Sequence, residues 1–323
     1  MVALARVAAF VLALAAAAAS AQEPFPSRPI RLVVSFTPGG GADLTARTLA
    51  QKMSEQFKQP VVIENRPGAN GLVGAGAVAQ SAPDGYTILL TDRGALGINP
   101  SLYKNMPYDP TRDFAYIGIA TVAPYVLVVD PRLPVKTLAD FIAYAKARPG
   151  KLNYGSYGIA SMAHLNLEAF KARLGVDLVH VPYKGAGPAV QAVVAGEAAV
   201  TISSPAAVLG FVREGRLRAL AIGAPQRSAL LPDAPTLREA GVDEELLAST
   251  YFALAAPTQT PRAIVQRLHD EMKRALAAPD VAERLNNAGL VPTGSTGDEL
   301  LALVKRDIPR FRQLIAEIGI QPE

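Results

Sequence analysis

The stretch that decides the fold is SFTPGGGAD, Ser35 to Asp43. It follows an apolar run, Ile30 to Phe36, of the kind found in strands buried on both faces, and it precedes apolar residues at helical spacing. Glycine has no Cβ atom, so this backbone can approach a ligand closely, and the first N–H groups of a helix lack intrahelical acceptors. The pattern predicts a strand-to-helix turn that either binds an anion through these groups or turns without a ligand.

The first 21 residues have the pattern of an export signal. One arginine, Arg6, is followed by an apolar run from Val7 to Ala19 and by the small residues of a cleavage site, Ala19-Ser20-Ala21. The alternative, a transmembrane anchor, is disfavoured because the run is mostly alanine and shorter than the ~20 strongly apolar residues of a span. We therefore predict a cleaved signal peptide over residues 1–21 and a periplasmic protein. No cysteine is present to form a disulfide bond, so stability must come from the core.

Charge and motif content exclude several classes of function. The net charge of +4, with both signs dispersed, argues against a nucleic-acid partner and slightly favours small anionic ligands. The three histidines are far apart in the sequence, so we predict no metal and no cofactor. The chain contains no G-x-S-x-G elbow, no G-x-x-x-x-G-K-[ST] loop and no complete dinucleotide fingerprint. We therefore predict that the protein is not an enzyme.

Strand and helix patterns alternate along the chain, which indicates a doubly wound α/β architecture. Proline-bearing connections follow Asn99-Pro100 and occupy Gln226 to Glu244, and these are the candidate crossings between two lobes. The predicted division places residues 22–122 and 247–323 in a first lobe and residues 123–246 in a second. Two crossings of this kind form a natural hinge.

Several strand-to-helix turns carry glycine and hydroxyl residues, and they come from both halves of the chain. In open α/β sheets ligands bind outside the carboxyl ends of the strands, so we expect these turns to face one cleft between the lobes. The turns are Pro38 to Asp43, Thr91 to Ala95, Gly155 to Ser161, Lys184 to Gly187, and Ser203-Ser204.

Six motifs in fixed order extend over essentially the whole chain after residue 21. They are FTPGGGADLTAR (36–47), VIENRPGANG (62–71), LNYGSYGIASMAHL (152–165), LVHVPYKGAGPAV (178–190), GRLRALAI (215–222) and SALLPDAPTLREAGVD (228–243). With these motifs the sequence resembles the extracytoplasmic solute-binding receptors of the tripartite tricarboxylate transporter class, the TctC or Bug family. The resemblance implies a type II periplasmic-binding-protein fold, in which two doubly wound α/β lobes joined by two crossings close on a small carboxylate.

The resemblance also implies which residues bind the ligand. We expect the anion donors to be the N–H groups of Gly39 to Ala42 and of Gly158 to Ser161, with the hydroxyl groups of Ser156 and Ser161 as the side-chain donors. The full predicted set from the first half is Phe36, Pro38, Gly39, Gly40, Gly41, Ala42, Asp43 and Arg93. The full predicted set from the second half is Tyr154, Gly155, Ser156, Gly158, Ile159, Ala160, Ser161, His164, Lys184, Ser203 and Ser204.

Four of these residues have alternative interpretations. Asp43 either contacts the ligand or holds the glycine loop by accepting hydrogen bonds, and we favour the second. Arg93, which departs from the family pattern, either points inward to a second carboxylate or is a solvated partner of Asp92. His164 is a ligand contact or a capping or core residue, and Lys184 lines the cleft or is solvated.

The sequence therefore predicts a monomeric periplasmic receptor that passes a mono-, di- or tricarboxylic acid to the membrane subunits of a tripartite tricarboxylate-type transporter. Two alternatives stay open: a receptor read by a membrane sensor, and an exported hydrolase. For the hydrolase, Ser161 and His164 lie one helical turn apart and could form a dyad.

Overall fold

The computed structural model describes residues 25–321, so the predicted signal peptide lies outside the described residues. The strands are β1 (Ile30–Val34), β2 (Val61–Asn65), β3 (Thr87–Asp92), β4 (Phe114–Ala123), β5 (Val126–Val129), β6 (Leu152–Ser156), β7 (Leu178–Pro182), β8 (Val200–Ser203), β9 (Arg218–Ile222), β10 (Thr250–Pro257) and β11 (Val291–Pro292). The helices are α1 (Gly41–Phe57), α2 (Leu72–Ala79), α3 (Asn99–Leu102), α4 (Leu138–Lys146), α5 (Met162–Leu174), α6 (Ala186–Ala195), α7 (Pro205–Arg213), α8 (Arg262–Leu276), α9 (Pro279–Asn287) and α10 (Gly297–Glu317).

The strands form two sheets, one in each lobe. The first sheet has the order β11-β4-β10-β3-β1-β2, with β1, β2 and β3 parallel, and the second has the order β7-β6-β8-β5-β9, with β6, β7 and β8 parallel. Helices cover both faces of each sheet, so successive strand residues are buried on opposite sides: Leu32 packs in one core of the first lobe and Val33 in the other. The predicted α/β architecture is confirmed.

The register of the strands shows how the lobes face each other. β4 ends at Ala123 and β5 begins at Val126, so the chain passes from one sheet to the other within three residues. Ala123 is paired with Thr250 at the start of antiparallel β10, which places it at the carboxyl edge of β3. Val126 is paired with Ser203 at the end of β8. The carboxyl edges of the two parallel strand sets therefore meet across the crossings and form the two sides of a cleft.

Helix α10 packs against both lobes. Leu300 and Val304 lie in a core of the first lobe, whereas Phe311 and Ile315 lie in a core made mainly of second-lobe residues, which Ile98 and Leu102 also join. Pro309, inside the helix, stands between these two groups. The division predicted from the sequence assigned the whole helix to the first lobe and did not anticipate this bridging. Among residues 25–321, no helix has both the length and the apolar character needed to cross a membrane.

Candidate functional site

The turn between β1 and α1 presents a row of N–H groups without acceptors. The first helical hydrogen bond runs from the Leu44 N–H to the Gly40 carbonyl group at 3.0 Å, and no side chain caps the helix. Within the described part of the chain, the four N–H groups from Gly40 to Asp43 therefore have no acceptor. Thr37 to Gly40 are exposed, so the turn is open on its cleft side. Such a row is suited to binding a carboxylate.

Asp43 holds this turn in place from inside. Its carboxylate accepts hydrogen bonds from the Gly39 N–H at 3.1 Å, from Arg47 Nε at 2.8 Å and from Asn65 Nδ2 at 3.1 Å. Asn65 Nδ2 also donates to the Phe36 carbonyl group, at 3.0 Å. Burial by itself raises the pKa of Asp43, but the hydrogen bonds from Arg47, Gly39 and Asn65 outweigh it and hold this pKa below its ordinary value. These are the contacts expected if Asp43 holds the glycine loop by accepting hydrogen bonds.

In the second lobe, the hydroxyl groups of the turn between β6 and α5 are engaged within the turn itself. Ser156 Oγ accepts from the Gly158 N–H at 3.2 Å and lies 3.1 Å from the Gly158 carbonyl oxygen. Ser161 Oγ donates to the same carbonyl group at 2.8 Å and caps α5 by accepting from the His164 backbone N–H at 3.3 Å. Both predicted side-chain donors therefore stabilise the turn in this conformation.

Most backbone donors of the second turn are also engaged. The Ala160 N–H donates to Nδ1 of the His164 ring at 2.9 Å, and the Ser161 N–H donates within the turn. Among the described residues, the N–H groups of Ile159, Met162 and Ala163 have no acceptor. Ile159 is 70% exposed at the tip of the turn. The donors that this lobe offers to a ligand thus extend into the first turn of α5, beyond the predicted set.

His180, which no sequence pattern marks as a site residue, is part of this turn's support. His180 lies on β7 opposite Tyr154 on β6, and its Nε2 is 2.6 Å from Ser156 Oγ. The His180 ring stacks on the Tyr154 ring at 4.9 Å and on the His164 ring at 4.0 Å. His164 and His180 are distant in sequence, and only the parallel pairing of β6 with β7 brings them together. The turn residues Lys184 and Gly185 indicate where β7 ends, but they do not indicate that β7 pairs with β6.

Burial favours the neutral form of both imidazoles, and the proximity of His180 adds to this effect at His164. Burial, followed by the charge that His180 would carry, lowers the pKa of His164 to about 4. Burial also lowers the pKa of His180. The His164 ring does not contact the Ser161 hydroxyl group, which meets only its backbone N–H. The dyad of the hydrolase alternative is therefore not formed.

The structure places Arg93 away from both predicted environments. Its guanidinium group is buried and forms two hydrogen bonds with the carboxylate of Asp307, at 2.6 and 2.7 Å, and a third with the Ser249 carbonyl group at 2.8 Å. Asp92, its expected partner, accepts from the Ala95 N–H at 3.1 Å instead. Arg93 is thus neither solvated nor available to a second carboxylate of a ligand, because its guanidinium group already binds the carboxylate of Asp307 on α10 through two hydrogen bonds.

The remaining predicted residues lie at the same two sheet edges. Phe36 is half-buried against the first-lobe core, and Lys184 is exposed after β7. Ser203 is fully buried at the end of β8, and its hydroxyl group has no hydrogen-bond partner in the described structure. Ser204 precedes α7 without capping it through its side chain. Within residues 25–321, no cluster of His, Asp or Glu side chains has the arrangement of a metal site.

Comparisons with known proteins agree on one family. Its sequence model, described as "Tripartite tricarboxylate transporter family receptor", matches residues 45–320. Protein BugT of Bordetella pertussis is 38% identical over 311 residues, covering 96% of this chain and 95% of BugT. The structure of R. palustris Rpa4515 with adipate has a TM-score of 0.84 at 34% identity, covering 93% of this chain and 100% of that one. MatC from Rhodopseudomonas palustris with bound malate has a TM-score of 0.79 at 33% identity, covering 90% and 100%.

Proposed function

Because the chain belongs to the tripartite tricarboxylate transporter receptor family, we propose that it captures a small organic carboxylate between its lobes and delivers it to the membrane subunits of such a transporter. The family resemblance predicted from the motifs and the two-lobed fold are confirmed. Family members are extracytoplasmic receptors rather than enzymes, which sets the hydrolase alternative aside. The periplasmic location after removal of residues 1–21 and a monomeric state belong to the proposal.

The observation that carries the proposal is the row of N–H groups from Gly40 to Asp43. They lie at the positive end of the α1 dipole, and the loop they belong to is braced by Asp43 instead of by a ligand. The facing edge of the second lobe adds the unpaired N–H groups of Ile159, Met162 and Ala163. The relatives whose structures hold adipate and malate share this fold over nearly their whole length.

Binding energies favour a ligand held by both lobes. Micromolar affinity needs about 8 kcal/mol. One helix terminus contributes at most about 2 kcal/mol to an anion, even when it is partly buried. Donors from both lobes in a closed, water-poor cleft can supply the difference. We propose that Phe36 to Asp43 contact the ligand on one side, and that Tyr154 to Ser161, Lys184 and Ser203-Ser204 line the other.

A screen of mono-, di- and tricarboxylic acids by thermal shift and calorimetry tests the proposal, with adipate and malate as the first probes. At least one acid should raise the melting temperature and bind with micromolar affinity or better. Matched uncharged amides of the same acids serve as controls and should not bind, because they cannot present an anion to the N–H row. If no acid stabilises the protein, the proposal is wrong. A neighbouring pair of genes for membrane subunits would favour transport over the sensor alternative.

A further inference from the structure

Two histidines from different elements hold the two ends of the second-lobe turn, Ser156 to Ser161. At the beginning of the turn, Nε2 of His180 lies 2.6 Å from Ser156 Oγ. Near its end, Nδ1 of His164 accepts a hydrogen bond from the Ala160 N–H at 2.9 Å. The two rings stack face to face, with centroids 4.0 Å apart and planes inclined by 13°. Each end of the turn is thus tied to one member of a single stack.

We infer that His164 and His180 are positioning residues, which hold this turn in the conformation that meets the ligand, and that His164 does so only as a neutral imidazole. The inference rests on the proposed function, because that proposal places the turn against the carboxylate. It assigns His164 a role through the loop instead of direct contact. This agrees with its burial, since only 7% of the residue is exposed.

The turn requires His164 because of the conformation of Ala160. The φ angle of Ala160 is +57°, in the left-handed region that is unfavourable for a residue with a Cβ atom. Ala160 is also buried, so its N–H cannot turn to solvent and needs an acceptor inside the protein. The lone pair on Nδ1 of His164 is that acceptor. Without it, an unpaired buried N–H would add to the backbone strain, and the turn would favour another conformation.

The support from His164 works only when its ring is uncharged. If Nδ1 of His164 carried a proton, it would be a donor facing another donor, the Ala160 N–H, and the hydrogen bond would be lost. In addition, two imidazolium rings 4.0 Å apart would repel each other. The charged groups that act on His164 are Glu168 and Lys171, one and two turns along α5, and they are paired with each other at 2.8 Å. From β6, the Tyr154 hydroxyl group donates to Glu168 at 2.5 Å. These groups offset one another, so burial and His180 dominate and leave His164 neutral at neutral pH.

Two substitutions distinguish the loss of the hydrogen-bond acceptor from the loss of the imidazole ring. His164→Asn keeps an oxygen acceptor near the position of Nδ1 and cannot titrate, whereas His164→Leu fills similar space without an acceptor. At pH 7.5, calorimetry with adipate and malate should show affinity at least tenfold weaker for His164→Leu than for wild type, with much of the loss recovered in His164→Asn. His269→Gln, at the third histidine in the first lobe, is the matched control and should bind as wild type does.

Nuclear magnetic resonance of the ¹⁵N-histidine-labelled wild type gives a readout that needs no ligand. We expect His164 to be the Nε2–H tautomer at neutral pH and to titrate well below an ordinary histidine. The Ala160 amide signal should change with the same titration. Equal affinities of wild type and folded His164→Leu would overturn the inference, as would an Nδ1–H tautomer at His164. If no acid binds the wild type, the proposed function is refuted. The tautomer of His164 then still shows whether its Nδ1 accepts the hydrogen bond from the Ala160 N–H.

Discussion

Arg93 and Asp307, 214 residues apart in the sequence, form a buried ion pair with two parallel hydrogen bonds of 2.6 and 2.7 Å. Arg93 follows β3 in the first lobe, and Asp307 lies on α10 between its first-lobe and second-lobe contacts. The third bond of the guanidinium group reaches Ser249, immediately before β10, where the chain returns to the first lobe. The pair therefore anchors helix α10 next to the point where the chain crosses back to the first lobe.

Removing one partner of this pair should destabilise the protein strongly. Asp307→Ala leaves the buried Arg93 charge uncompensated, and we expect a loss of about 3 to 5 kcal/mol in the free energy of unfolding, measured with urea. Replacing both partners, as Arg93→Met with Asp307→Leu, should recover much of that loss because no buried charge then remains. Asp280→Ala, which removes an exposed partner of Lys52, is the control and should have a far smaller effect. Equal losses for the two single variants would contradict this account.

The contact between Gly289 and Pro205 offers a test at the flank of the crossing. Gly289 belongs to the turn before β11 in the first lobe, and a Cβ atom on it would lie 2.6 Å from Cβ of Pro205 at the start of α7 in the second lobe. Gly289→Ala should therefore both strain the backbone, at φ +70°, and push the lobes apart.

Gly241→Ala is the matched control for this substitution, because its φ is +72° and nothing lies within 4 Å of an added Cβ. Thermal unfolding should show the backbone cost of about 1 kcal/mol in both variants and a further loss in Gly289→Ala alone. Small-angle scattering should show a larger radius of gyration only for Gly289→Ala. Identical behaviour of the two variants would mean that the contact with Pro205 does not constrain the lobes.

Acid should weaken the first-lobe turn through Asp43. Its pKa is lowered in the folded protein, so the stability it contributes is fully present above the ordinary carboxyl pKa and is lost as pH falls through the lowered value. Asp43→Asn removes this contribution, and we expect a loss of about 1 to 3 kcal/mol at pH 7 that shrinks below pH 4. Urea unfolding of both proteins from pH 7 to pH 3 measures the difference. A difference that stays constant with pH would show that the carboxylate charge does not hold the turn.

Acid should also lower the stability that depends on His164, although His164 is neutral at pH 7 whereas Asp43 is charged. Since the pKa of His164 is lowered to about 4, the unfolded chain binds a proton before the folded one does. Stability should therefore fall as pH drops from about 6.5 to about 4 and then level off, with a contribution from His164 of at most about 3.4 kcal/mol. His164→Asn should show a flatter profile in this window. A wild-type slope equal to that of His164→Asn would contradict the pKa assignment.

Local patterns predicted the elements of the site well. The apolar strand before Ser35, the three glycines and the helical spacing after them are all encoded in one short stretch, and the structure places the turn there. The interpretation of Asp43 as a brace followed from its position near a helix N-terminus.

Partners distant in sequence could not be predicted in the same way. No local signal connects Arg93 to Asp307, and the sequence offers only the neighbouring Asp92 as a partner for its charge. His180 reads as an ordinary strand residue until β7 is paired with β6. The engagement of Ser156 and Ser161 within their own turn is likewise a consequence of the exact backbone path, which composition does not specify.

The central claim is that the N–H row at Gly40 to Asp43 binds the carboxylate, and calorimetric titration of Gly40→Ala tests it most directly. The φ of Gly40 is −91° and nothing lies within 4 Å of an added Cβ, so the methyl group fits the fold, at a capping cost below about 1 kcal/mol. Gly210→Ala, in α7 with equally open space, is the control. For the acid that binds the wild type, the account predicts at least tenfold weaker binding to Gly40→Ala and wild-type binding to Gly210→Ala. Wild-type affinity in folded Gly40→Ala would contradict it.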